Sequence, residues 1–109
     1  MRVVWSEQAR DELRQTSNYI LREFGKKSRQ NFLQEVGHIA TLLETNPNIG
    51  PVETLLENAP VLYRSIVVNR LNKMVYYIND EKVEIVALWD TRREPKSLQN
   101  SILNGQQNN

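Results

Sequence analysis

Cysteine is absent from the sequence, which excludes a disulfide framework, a thiol nucleophile and a cysteine-based zinc site. No apolar run approaches the roughly 20 residues that a membrane-spanning helix needs, so we expect no membrane partner. Arg2 is not followed by an apolar segment, so a signal peptide is not indicated and we expect a cytoplasmic protein. The carboxylates lack the paired spacing typical of a glycosidase or a metal site, and the sequence predicts neither a metal nor another cofactor.

Positive charge is missing from the middle of the chain. Residues 30–60 contain no lysine or arginine, but they contain the glutamates Glu35, Glu44, Glu53 and Glu57. The whole chain is nearly neutral, with 14 basic and 13 acidic residues, so its total charge does not favour a nucleic-acid partner. The basic residues lie instead in the first third and in the last half of the chain.

The helical part of the chain is expected to be a hairpin. Ser6 is a good N-cap for a first helix that ends at Gly25, and a second helix is predicted over residues 28–45. The short corner at Gly25 indicates antiparallel neighbours. The buried stripe predicted for the first helix consists of Ala9, Leu13, Ser17, Ile20 and Phe24.

The remaining elements complete one α+β domain, which we place at residues 1–104, with a flexible polar tail at residues 105–109. β-branched and aromatic residues favour strands over residues 2–5, 61–69, 74–78 and 83–89. Residues 96–103 have the pattern of a short last helix. The predicted order is β-α-α-β-β-β, with the helical hairpin on one face of a small antiparallel sheet.

The second face of this predicted sheet is expected to lack a cover. Tyr76 and Tyr77 are neighbours in one strand, so their side chains point to opposite faces and cannot both contact the helices. An open, partly apolar sheet face invites a partner or a substrate.

Several basic residues lie within or next to the predicted strands of the second half of the chain. Arg64 lies within one predicted strand, Lys73 begins the next, and Arg92 and Arg93 follow the last. If these strands are neighbours, their cations converge at one end of the sheet and can hold a phosphate. The alternative is a solvated rim in which the arginines pair with nearby carboxylates. His38, the only histidine, lies on the flank of the second helix and is interpreted as structural or exposed.

Three segments resemble those of a known family: VVWSEQARDEL at residues 3–13, YRSIVV at residues 63–68 and KMVYYINDEKVEIVALWDTRREP at residues 73–95. Together with the order of elements, they resemble the RelE/ParE superfamily of toxins from bacterial type II toxin–antitoxin pairs. The resemblance implies a cognate antitoxin that wraps and masks the toxin. It also implies one of two activities, which are metal-independent mRNA cleavage on the ribosome and poisoning of DNA gyrase.

For a nuclease, the resemblance implies catalytic and phosphate-binding roles for Arg64, Lys73 and Arg92, and phosphate binding by Arg93. The sequence departs from the nuclease pattern at two positions, since Ile66 occupies a basic position and Leu98 replaces a terminal tyrosine. No histidine or tyrosine follows Tyr77. For the antitoxin, the expected contacts are Tyr76 and Tyr77, of which one faces the open side of the sheet. The alternative to a toxin is a non-toxic interaction module that keeps the fold.

Overall fold

The computed structural model describes residues 1–107, and the side chains of residues 1–103. Its elements, in chain order, are β1 (Arg2–Trp5), α1 (Glu7–Phe24), α2 (Lys26–Thr45), a 3-10 turn (Thr54–Leu56), β2 (Tyr63–Val68), β3 (Asn72–Asn79), β4 (Lys82–Asp90) and α3 (Pro95–Gln107). This order confirms the predicted α+β fold. α3 includes the first three residues of the predicted tail, whereas residues 108 and 109 lie outside the described residues.

The two helices of the hairpin meet at the predicted corner. The Ser6 hydroxyl accepts a hydrogen bond from the Ala9 N–H at 3.0 Å, so Ser6 caps α1. Gly25 has a φ of 93°, a conformation that side chains with a Cβ rarely adopt. Because the chain turns within this single residue, α2 begins at Lys26, earlier than predicted.

The four strands form one sheet in the order β1-β4-β3-β2. β2, β3 and β4 make the predicted antiparallel meander, whereas β1 pairs parallel with β4. The register shifts between Val75 and Tyr76, which pair with Ala87 and Ile85, so Val86 is an extra residue in β4. The bulge reverses the alternation of β4, so Leu88 joins Val83 and Ile85 on one face, whereas Ala87 and Trp89 lie on the other.

Both faces of the sheet are buried, so the predicted open face is wrong. One core packs α1 and α2 against the sheet, and the second packs α3 and the 3-10 turn against the other face. Leu98 and Ile102, which are four residues apart on α3, join Trp89 in this second core. Their spacing gives α3 the apolar side that covers the sheet. Within the described residues, no helix is long and apolar enough to cross a membrane.

Candidate functional site

The predicted cationic site is not assembled, because its members lie on different faces of the sheet. Arg64 pairs in register with Tyr76, whose side chain belongs to the core beneath α1 and α2. Lys73 pairs with Trp89, whose side chain belongs to the core beneath α3. Since paired residues share a face, the side chains of Arg64 and Lys73 point to opposite sides. The expected convergence of these two cations is therefore wrong.

Lys73 is neutralised inside the protein by Glu53. The two side chains form an ion pair and are only 15% and 5% exposed, respectively. The Glu53 carboxylate also accepts hydrogen bonds from the Ser65 hydroxyl at 3.1 Å and from the Leu55 N–H at 3.0 Å. Burial alone raises the pKa of Glu53, but the hydrogen bond and charge of Lys73, together with the hydrogen bonds from Leu55 and Ser65, outweigh burial and hold its pKa below the ordinary value. We call this set of groups the Glu53 network.

Arg64 and Tyr76 hold the loop that precedes the Glu53 network. Arg64 Nη1 donates to the Gly50 carbonyl at 2.8 Å. The Tyr76 hydroxyl accepts from the Gly50 N–H at 3.0 Å and donates to the Pro47 carbonyl at 2.7 Å. A Cβ added at Gly50 would lie 2.8 Å from the Tyr76 hydroxyl, so only glycine allows this approach.

The same loop then extends the sheet. The Ser65 N–H donates to the Pro51 carbonyl at 3.0 Å, and the Glu53 N–H donates to the Tyr63 carbonyl at 2.8 Å. Part of the β2 edge is thus covered by backbone pairing. Arg64 and Lys73, two of the cations expected to bind phosphate, therefore hold this segment in place through Gly50 and Glu53.

Arg92 and Arg93 lie at the exit of β4, and both are exposed. Arg92 donates to both carboxylate oxygens of Asp90, at 3.1 and 2.8 Å, and this hydrogen bonding lowers the pKa of Asp90. The guanidinium of Arg93 lies 4.3 Å from the centre of the Trp89 ring. The solvated-rim interpretation describes Arg92, whereas Arg93 covers a buried indole.

The two tyrosines expected to bind an antitoxin have different environments. Tyr76 is fully buried, so it cannot contact a partner of the folded chain. Tyr77 is half-buried, and a hydrogen bond to Glu84 raises its pKa to about 12. Both hydroxyls therefore have partners within the protein.

Other candidates for chemistry are few in residues 1–103. His38 is exposed on α2. No group of three or more histidine, aspartate or glutamate side chains in this part of the chain could hold a metal ion. Burial raises the pKa of Glu12, although its carboxylate accepts a hydrogen bond from the Leu88 N–H at 3.1 Å. The Glu12 carboxylate thus provides a hydrogen-bond acceptor for a backbone N–H of β4.

One surface was missed by the sequence analysis. Phe24 was assigned to the buried stripe of α1, but it is 66% exposed. Tyr19 and Leu71 beside it are also exposed, and the rings of Tyr19 and Phe24 meet edge to face at 6.3 Å. The helical period carries the stripe to Phe24, but the chain turns away at Gly25 and leaves this ring uncovered. A large aromatic residue directly before a corner glycine is the only sequence signal.

Two adjoining depressions, of about 340 and 490 Å³, flank Phe24. We call them together the Phe24 groove. Both are lined by Ile20, Phe24, Asn69 and Leu71. The groove therefore runs from the hairpin corner to the turn between β2 and β3. Its size lies in the range of about 300–1,000 Å³ that is typical of ligand sites.

Comparison with protein families identifies the chain. The sequence profile described as "ParE toxin of type II toxin-antitoxin system, parDE" matches residues 3–95. The chain belongs to the ParE toxin family. This match confirms the resemblance to the RelE/ParE superfamily that the N-terminal and late segments predicted.

Solved structures share the fold of this ParE-family toxin. A chain of the chromosomal ParDE system of P. aeruginosa has a TM-score of 0.69 at 14% identity, covering 84% of this chain and 97% of that one. The YoeB dimer from Staphylococcus aureus has a TM-score of 0.55 at 19% identity, covering 81% and 93%. The YoeB-YefM complex from the same organism gives 0.51 at 14% identity, with coverage of 81% and 93%. Among curated proteins, none matches the sequence significantly.

Proposed function

We propose that this ParE-family toxin arrests growth by binding DNA gyrase, and that a cognate antitoxin neutralises it. The observation that favours gyrase over RNA is the internal use of the cations. Arg64 bonds to the Gly50 carbonyl, Lys73 pairs with Glu53, and the exposed Arg92 pairs with Asp90.

Metal-free RNA cleavage places different demands on a site. Cations must converge on one phosphate to stabilise the developing charge, and an acid or base must move the proton. Arg64 and Lys73 project to opposite faces of the sheet, and no tyrosine or histidine follows Tyr77. A toxin that acts by binding a protein needs neither feature.

The experiment that tests the target adds the purified chain to gyrase with relaxed plasmid, and separately to a bacterial translation extract. We expect inhibited supercoiling or accumulated cleaved plasmid, and intact mRNA. Discrete cuts in mRNA that require ribosomes would overturn the proposal and restore the nuclease. Normal supercoiling together with intact mRNA would favour the non-toxic interaction module.

Neutralisation is tested by co-expression. The protein encoded directly beside this gene is expected to restore growth to cells that express the toxin. Continued arrest despite a folded neighbouring product would contradict a cognate pair.

A further inference from the structure

The corner of the helical hairpin concentrates positive charge. Residues 22–29 hold one carboxylate, Glu23, and four cations: Arg22, Lys26, Lys27 and Arg29. Four positive charges and one negative charge give this segment a net charge of +3, whereas the whole chain has +1, so all other residues together carry −2. We call the four cations the cationic corner.

The carboxylates near the cationic corner do not neutralise it. None of its cations forms an ion pair with a described residue. Glu35 is the next carboxylate along α2, and both of its oxygens accept from the Asn69 N–H at 3.1 Å. Arg70 lines the same depression as Glu35 and offsets its charge. Three of the four cations of the corner are exposed, and Arg29 is half-buried.

Three of these cations occupy positions that weaken a helix. The first turn of α2 contains Lys26, Lys27 and Arg29 but no acidic residue, and no side chain caps it. Positive charge near the N-terminus of a helix opposes the helix dipole. α1 has the favourable pattern, with Ser6 as its cap and Glu7 in its first turn. Since no ion pair within the described residues offsets the cost in α2, these cations are better explained by a partner than by folding.

The charge of the corner is complementary to a polyanion, and the proposed target selects duplex DNA. Gyrase acts on duplex DNA, which carries one negative charge per about 1.7 Å of its axis. An anionic membrane is a poorer match, because binding to its surface also needs a broad apolar face. α2 packs its apolar stripe against the sheet, so the large apolar side chains exposed near the corner are few: Tyr19, Phe24 and Leu33.

We propose that the cationic corner binds the phosphate backbone of the duplex DNA that gyrase holds. The inference rests on the gyrase target proposed above and adds a contact between the toxin and the DNA. The cations pair with phosphates through charge-assisted hydrogen bonds and do not read the base sequence. A toxin bound to both gyrase and its DNA slows their separation.

The first test measures DNA binding without gyrase, by fluorescence anisotropy of a labelled duplex over a series of salt concentrations. The triple variant Lys26→Gln, Lys27→Gln, Arg29→Gln, called the corner variant, is expected to bind about 10-fold more weakly at low salt or worse. The slope of log affinity against log salt concentration should fall by about 2–3, because each lost phosphate contact removes about 0.9. Glutamine has a similar helix propensity, so the variant should melt at the wild-type temperature or above it.

Two controls separate the charge of the corner from other effects of substitution. The double variant Lys26→Arg, Lys27→Arg keeps the charge and should keep the affinity for the duplex. A second triple variant removes three exposed cations outside the corner that form no ion pair within the described residues: Arg2→Gln, Arg10→Gln and Lys96→Gln. It should bind close to the wild-type affinity. Equal losses in the two triple variants would overturn the corner as the DNA site.

The second test adds gyrase and plasmid. The corner variant should need about 10-fold more protein than the wild-type toxin for half-maximal plasmid cleavage, while its affinity for DNA-free gyrase stays unchanged. A corner variant that poisons gyrase like the wild-type toxin would overturn the inference. Wild-type toxin that binds the duplex but leaves gyrase fully active would overturn the gyrase target and leave DNA binding by the corner standing.

Other polyanions test the choice of partner. The same anisotropy measurement uses a labelled single-stranded RNA, and sedimentation uses vesicles of phosphatidylcholine and phosphatidylserine. If the corner variant loses binding to RNA or vesicles while the wild-type toxin ignores the duplex, duplex DNA is the wrong occupant. Absence of wild-type binding to the duplex at low salt, with gyrase still poisoned, would overturn the inference and leave the gyrase target standing.

Discussion

The Glu53 network and the Phe24 groove use similar side chains for opposite purposes. In the network, Lys73 is almost completely buried and paired, so its charge acts within the protein. At the groove, Arg22 and Arg70 are exposed beside Tyr19 and Phe24, and neither forms an ion pair within the described residues. The residue type therefore does not separate a binding cation from a structural one. What distinguishes Lys73 from the two exposed arginines is its buried carboxylate partner, Glu53.

Of the substitutions that test this contrast, Glu53→Gln is expected to have the largest effect on stability. The substitution leaves Lys73 without its counter-ion, and we expect a loss of about 1.5–3 kcal/mol in the free energy of unfolding. Urea denaturation measures this loss. Glu57→Gln, which changes an exposed glutamate of the same segment, is the control and should be neutral. The double variant Glu53→Gln, Lys73→Met removes both charges and should regain stability. If Glu53→Gln alone has the wild-type free energy of unfolding, the Glu53 network does not stabilise the fold.

The next effect compares the two neighbouring tyrosines. Tyr76→Phe removes the hydroxyl that joins the Gly50 N–H to the Pro47 carbonyl, and should cost about 1–2 kcal/mol. Tyr77→Phe loses a hydrogen bond to Glu84 at a half-exposed position, where water can replace it, so the cost should be smaller. Hydrogen exchange at Gly50 provides a second measurement. Equal costs would show that the buried hydroxyl does not hold the loop.

A smaller effect depends on pH. The folded-state pKa of Glu53 lies below its ordinary value of 4.5, so this carboxyl stabilises the fold above that pH. Its contribution declines as the pH falls from 4.5 through the folded pKa. The stability difference between the wild-type chain and Glu53→Gln should therefore shrink on acidification over that interval. Because Glu84 and Asp90 also have lowered pKa values, only this difference isolates Glu53. If the stability difference between the two chains instead grows on acidification, the pKa of Glu53 is not lowered by folding.

The order of elements was predictable because each has a local signal, such as Ser6 at the start of α1 and Gly25 at its end. The parallel pairing of β1 and the bulge at Val86 depend on contacts between distant segments, so no local pattern indicated them. The open sheet face was a wrong prediction for a similar reason. Leu98 and Ile102 show an apolar side of α3, but not the surface that it covers.

The site residues were harder to predict than the fold. Lys73 is neutralised by a carboxylate 20 positions earlier in the chain, and Arg64 donates a hydrogen bond to a carbonyl 14 positions earlier. Single-sequence patterns identify charges but not such partners. Phe24 illustrates the converse, since its helical position predicted burial and the direction of the chain after Gly25 left it exposed.

The smallest effect is expected for Arg92→Ala, and it separates the proposed target from the nuclease. Arg92 is exposed, and its ion pair is with Asp90 two residues away, so its loss should leave thermal stability and growth arrest close to the wild-type level. Arg93→Ala is the comparison, because it uncovers the Trp89 ring and should cost about 0.5–1 kcal/mol in stability. Growth curves after induction, together with thermal unfolding, measure both variants. Arrest that disappears in a stably folded Arg92→Ala chain would contradict this expectation, and ribosome-dependent cuts in mRNA that disappear with it would indicate a cationic active site.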